Sequence, residues 1–188
     1  MPWRSDMSDH PMHWVHTCTP NCAPWCGKPA GKPKAHRFFT VDVHCHMFSE
    51  EVERLVQDEP QKRGERAFLE TVQGVPSVAF NDSQMLPRAM HKMQTLGERL
   101  SDMDAMGIDV QVVSPSPTQY YYWANEDLAR ELVHVQNHRL AGQCARHTDR
   151  LRAMASVALQ HPTLAVEQLH YAVRELGMVG VEVSSMVK

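Results

Sequence analysis

The chain has 188 residues, 43% of them hydrophobic and 22% charged, which fits one globular domain with room for a tail. Its formal charge of −3 gives no reason to expect nucleic acid or an anionic membrane as partner. No apolar run approaches the roughly 18 residues that span a bilayer. The opening "MPWRSDMSDHPMHWVHTC" is broken by charges and prolines and lacks the apolar core of a signal peptide. A cytoplasmic protein is the default expectation, with its five cysteines mostly as thiols.

Residues 1–37 stand apart in composition. They hold six of the twelve prolines, three of the five cysteines and three of the four tryptophans. Proline fixes φ and removes a backbone donor, so "CAPWCGKPAGKPK" reads as an irregular leader rather than a helix or strand. Cys18, Cys22 and Cys26 form a C-x3-C-x3-C pattern with His13 and His16 nearby. Such a group can bind zinc or cross-link oxidatively, but the spacing differs from the usual C-x2-C knuckle, and a flexible tail is the favoured reading.

Residues 38–188 form the second segment, in which strands and helices alternate. "FFTVDVH" is short, apolar and β-branched, as a buried strand would be. After an acidic helical start, "TVQGVPSVAFND" reads as a loop or small hairpin. Residues 96–106 place Leu96, Leu100 and Met103 on one helical face, and Gly107 supplies the C-terminal cap. "DVQVVSP" (109–115) is a second strand. Asn125 caps the next helix, whose first turn carries Glu126 and Asp127 and whose stripe is Leu128, Leu132, Val135 and Leu140. "LRAMASVAL" (151–159) is the third strand. Pro162 opens a helix with Ala165, Val166, Leu169, Val173 and Leu176 on one face, and Gly177 ends it. "VGVEVSSM" (179–186) is the fourth strand.

Strands alternating with helices imply right-handed βαβ units and a parallel sheet. Four such units occupy about 150 residues, whereas an eight-unit barrel needs about 250. The pattern predicts the first four units of a (β/α)8 TIM barrel. A complete small open-sheet protein is the alternative, weakened by the lack of a glycine-rich phosphate loop.

The chemistry concentrates in "VDVHCH" (41–46). Residues two apart in a strand project to one side, so His44 and His46 point together and Cys45 points away. Imidazole ligates zinc and similar ions, and the C-terminal end of a barrel strand is where such a pair would serve catalysis. On spacing alone, two incidental histidines in a histidine-rich chain explain the motif as well as a ligand pair does.

"VDVHCH" resembles the metal-binding opening of the amidohydrolase superfamily. "RLSDMDAMGIDVQVVSPSP", "YYYWANEDLARELVHVQNHRLA" and "DRLRAMASVALQHPTLAVEQLHYAVRELGMVGVEVSS" resemble, in order and spacing, its branch containing α-amino-β-carboxymuconate-ε-semialdehyde decarboxylase. The resemblance implies a zinc-dependent, non-oxidative decarboxylase of a carboxymuconate semialdehyde or related aromatic acid, with zinc-bound hydroxide activating the substrate. It makes His44 and His46 the first-strand zinc ligands and Arg99 a residue that binds a substrate carboxylate. Read without the family, Arg99 is a solvated residue on an exposed helix face. "PTQYYYWA" resembles a pocket-lining loop, which makes Tyr122 and Trp123 candidate walls, although aromatics after a strand are more often packing. The remaining ligands and the proton-handling histidine are expected beyond Lys188, so the 188-residue chain alone is expected to be inactive. The implied partners are a small carboxylate substrate and, in the full-length protein, a second copy in a homodimer. A hydrolase or hydratase of the same superfamily needs the same two histidines and stands as the rival, as does a non-catalytic truncated fragment.

Overall fold

The computed structural model describes residues 38–185 and 187. Strand β1 (Val41–Met47) is followed by five helices: α1 (Glu50–Val56), α2 (Pro60–Gln73), α3 (Val75–Phe80), α4 (Leu86–Gln94) and α5 (Leu96–Met106). A π-turn at Asn81–Met85 joins α3 to α4. Then come β2 (Val110–Pro115), α6 (Glu126–Cys144), β3 (Leu151–Ala155), α7 (Pro162–Arg174) and β4 (Gly180–Val181).

The four strands lie in the order β1-β2-β3-β4, and every pair is parallel. One face of this sheet is helix-covered. Cys45, Met47, Val113, Leu151 and Ala153 pack there in one cluster with Met103 of α5, Leu140 and Cys144 of α6 and Ala172 of α7. A doubly wound sheet would reverse its strand order and carry helices on both faces. Sequential order with helices on one face is the winding of a (β/α)8 barrel, and four of its units are present.

The helix boundaries follow local chemistry. Asn125 Oδ1 accepts from Leu128 N at 3.0 Å, and Glu126 and Asp127 sit at the positive end of α6. Pro162 occupies the first turn of α7, where its missing N–H costs nothing. Gly107 closes α5 at φ 74°, ψ 30°, a left-handed conformation that strains residues with a Cβ. Met103 and Leu132, at 0% and 2% exposure, each contribute roughly 1.5–3 kcal/mol by leaving water.

Four expectations are corrected. "TVQGVPSVAFND" is helical: Thr71–Gln73 complete α2, Gly74 breaks it at φ 85°, and Pro76 fits the first turn of α3. Proline there marks a joint between helices rather than a hairpin. The third strand stops at Ala155 because α6 side chains replace the ladder: Ser156 N donates to Asn137 Oδ1 and Asn137 Nδ2 donates to Ser156 O, both at 3.0 Å. In α7 the buried residues are Leu164, Ala165 and Ala172, while Val166 and Val173 are exposed. The apolar stripe is wider than the face that meets the sheet. The fourth strand is also short, pairing only at Gly180 and Val181.

Two glycines should respond oppositely to alanine. Gly107→Ala should lower stability by about 1–2 kcal/mol, because a left-handed φ is imposed on a Cβ. Gly142→Ala, inside α6 with open space around the added methyl, should raise it by roughly 0.5–1 kcal/mol. Urea unfolding midpoints measure both, and equal signs would show that backbone conformation does not control these positions.

Candidate metal centre

The end of β1 is irregular where the histidines lie. Asp42 pairs with Gln111 and Cys45 with Val113, so Val43 and His44 together oppose Val112 alone. This is a β-bulge, a device that re-aims side chains. Asp42 Oδ1 accepts from the His44 backbone N–H at 3.1 Å and holds the extra residue in place. Beyond it Cys45 enters the helix-side core, whereas His46 turns to the opposite face beside Ser114.

Both histidines reach one point. Their rings meet edge-to-face with centroids 4.9 Å apart, and the two Nε2 atoms are separated by 3.3 Å. Two nitrogens at about 2.05 Å from one tetrahedral ion lie roughly 3.3 Å apart, so the pair fits a shared divalent cation. Burial pushes the His46 pKa below the ordinary imidazole range, more strongly than Glu182 pulls it up, which favours the neutral, ligating form. Among the described residues no group of three or more His, Cys, Asp or Glu side chains is placed to hold an ion. The two imidazoles are the candidate pair that the described residues bring together.

Arg99 lies behind the pair rather than in front of it. Its side chain is 9% exposed, on the helix-covered face of the sheet. Nη1 donates to Gln111 Oε1 at 2.9 Å and Nη2 to the His46 carbonyl at 2.5 Å. Gln111 Nε2 in turn donates to Asp42 Oδ2 at 3.1 Å. One guanidinium thus grips the backbone of His46 directly and that of His44 through Gln111 and Asp42. The guanidinium is buried rather than solvated on an exposed helix face.

On the other face, side chains the sequence reading passed over surround His46. Ser114 Oγ lies 3.0 Å from His46 Nδ1 and donates to Glu182 Oε2 at 2.5 Å. Tyr120 Oη donates to Glu182 Oε1 at 3.1 Å. A lone acid in the apolar run "VGVEVSS" was the available signal for Glu182, while Ser114 needed the strand register.

The aromatic loop divides in two. Tyr120 and Tyr122 turn to β4, where Tyr122 Oη accepts from Ser184 N at 3.3 Å. Tyr121 and Trp123 turn to α1 and α2: Trp123 Nε1 donates to Glu65 Oε1 at 3.2 Å, and Lys62 Nζ donates to Tyr121 Oη at 2.9 Å. The structure brings Tyr122 to the β4 end and does not bring Trp123 to the histidines. Cys18, Cys22 and Cys26 lie outside the described residues.

Arg99→Met keeps bulk but strands Gln111 and the His46 carbonyl, and should cost roughly 2–3 kcal/mol in chemical denaturation. A loss under 1 kcal/mol would mean the clamp is dispensable. The thiols make a separate case. Burial pushes Cys45 up to about 12 and Cys144 up to about 11, so neither forms thiolate at pH 8. Both should resist iodoacetamide in the folded chain and react in urea, as read by peptide mass spectrometry.

Residues 41–188 match the Amidohydrolase family. The chain is 32% identical over 115 residues to the gamma-resorcylate decarboxylase of Rhizobium radiobacter, covering 61% of this chain and 35% of that protein. It is 26% identical over 89 residues to the 2-amino-3-carboxymuconate-6-semialdehyde decarboxylase of Dictyostelium discoideum, covering 47% and 25%. Among solved structures, 2,6-dihydroxybenzoate decarboxylase with bound 2,6-dihydroxybenzoate superposes with a TM-score of 0.61 at 25% identity, covering 81% of this chain and 40% of that one. The 5-carboxyvanillate decarboxylase of Novosphingobium aromaticivorans, a D314N mutant solved with manganese and 3-methoxy-4-hydroxy-5-nitrobenzoic acid, does so at 0.66 and 25% identity, covering 80% and 43%. The chain spans about a third of the length of the first of these curated relatives. With its singly wound parallel sheet and a histidine pair at the end of β1, the chain belongs to the amidohydrolase family.

Proposed function

We propose that residues 38–188 carry the first-strand metal ligands of a divalent-metal-dependent, non-oxidative decarboxylase acting on an aromatic or conjugated carboxylic acid. The observation that carries this reading is the 3.3 Å approach of the two Nε2 atoms at the C-terminal end of β1, the catalytic end of a barrel. The relatives support the reaction class, since each is named a decarboxylase of such an acid. Manganese in a solved neighbour widens the expected metal beyond zinc.

In this reading His44 and His46 hold the ion. When bound, a divalent ion supplies Lewis acidity toward a substrate oxygen. The chain's own residues do the rest of the work assigned to this half. Arg99, Gln111 and Asp42 keep the two imidazoles converged, and the buried position of His46 keeps its ring neutral. Tyr120 and Tyr122 pack against each other at the β4 end, bonded to Glu182 and Ser184, and form the proposed wall on that side. Trp123 anchors the same loop to α2 from behind. Two of the Arg99 nitrogens have internal acceptors, Gln111 Oε1 and the His46 carbonyl, which makes holding the pair the part assigned to Arg99 in this half.

Metal titration of the chain followed by calorimetry tests the ligand pair. His44→Ala and His46→Ala should each weaken Mn²⁺ or Zn²⁺ binding by at least about tenfold, the lower bound even for outer-shell partners. The reaction is read in a complete barrel carrying this segment, as CO2 released from 2,6-dihydroxybenzoate or a carboxymuconate semialdehyde. Amide or ester hydrolysis without CO2 would instead favour the hydrolase reading.

A further inference from the structure

We infer that Glu182, acting through Ser114, sets the tautomer of His46, so that Nδ1 carries the ring proton and Nε2 faces His44 with its lone pair free. The inference rests on the ligand reading of the pair and assigns positioning roles to two residues that do not touch the ion.

The argument is a count of protons. Ser114 is fully buried, and its hydroxyl has one hydrogen to give. Three atoms surround the hydroxyl oxygen: Glu182 Oε2 at 2.5 Å, His46 Nδ1 at 3.0 Å and the Cys45 carbonyl at 3.5 Å. A carboxylate oxygen only accepts, and at 2.5 Å it takes the hydroxyl proton ahead of the distant carbonyl. The serine oxygen is then an acceptor toward His46, so the 3.0 Å contact requires hydrogen on Nδ1. A neutral ring protonated there has a bare Nε2, which is the atom 3.3 Å from His44 Nε2.

The carboxylate is itself held from two sides. Tyr120 Oη donates to its other oxygen at 3.1 Å, and the Glu182 backbone N–H bonds the Ala155 carbonyl at 2.9 Å. Strands β1, β2 and the end of β4 thus meet at one imidazole. Glu182 is not a third ligand in this arrangement, because its oxygens face the Nδ1 edge of the ring, 3.9 Å away, and not the Nε2 edge. Histidines that bind metals commonly donate their second nitrogen to a carboxylate, which fixes tautomer and orientation. Here a serine hydroxyl stands between the two.

Two-bond ¹H–¹⁵N spectra of the ¹⁵N-labelled 188-residue chain, recorded at pH 8 without metal, read the tautomer directly. The expected result is a protonated Nδ1 and a bare Nε2 at His46. Ser114→Ala and Glu182→Ala should each shift His46 toward the Nε2–H form and weaken Mn²⁺ binding about 10- to 100-fold. An Nε2–H tautomer in the unmodified chain overturns the inference, as does retention of Nδ1–H in a folded variant of either residue. Should Ser114→Ala fail to fold, the unmodified chain and Glu182→Ala still decide. If the tautomer is as stated but the chain binds no divalent ion, the relay stands and the ligand reading falls.

Discussion

The convergence of the two histidines depends on a guanidinium that touches neither ring. Arg99 is buried behind β1, where removal from water disfavours its charge. A buried cation persists only when its donors are satisfied, and here the acceptors are Gln111 and the His46 carbonyl. That requirement ties α5 to the end of β1 and, through Gln111 and Asp42, to the bulge at His44. Alternate residues of a strand lie roughly 6.5–7 Å apart along the backbone, so the two side chains must lean together to meet. Their Nε2 atoms close to 3.3 Å, with the bulge and the buried polar network fixing the backbone beneath them.

Support comes from both faces of the sheet, with different chemistry on each. The helix side supplies a charged, buried clamp on backbone atoms. The open side supplies hydrogen bonds to ring atoms, through Ser114 and Glu182. A loop between β2 and α6 serves both surroundings by alternating its aromatics. Tyr121 stands at its middle with φ 45°, a conformation costing about 1–2 kcal/mol for a residue with a Cβ. Hydrogen bonds from its hydroxyl to Glu53 and from Lys62, with the Lys62 ammonium 4.7 Å over its ring, offset that cost. The turn so held presents Tyr120 and Tyr122 to the opposite side.

Several features were legible in the chain because they are local. Asn125, Pro162, Gly107 and Gly177 mark helix ends by conformational preference within one turn, and all four lie where their chemistry demands. The spacing of His44 and His46 marked a candidate pair for the same reason. The insertion between β1 and α5 was misread because Gly74 and Pro76 are equally good signals for a turn and for a helix joint. Which applies depends on how the flanking residues pack. The burial of Arg99 was not legible for a related reason: helical periodicity does not say which polar residue of a helix is drawn under a strand.

By itself the sequence determined the alternation of strands and helices, the helix caps and the proximity of two imidazole-bearing residues, since these follow from backbone preferences over a few positions. Only the tertiary structure decided the sequential strand order, the bulge beneath the rings and the identity of the residues behind them. Ser114 and Glu182 lie 68 residues apart and meet because β4 and β2 flank one strand. No local rule connects them, and the hydrogen bonds that make them partners exist only once the sheet has formed.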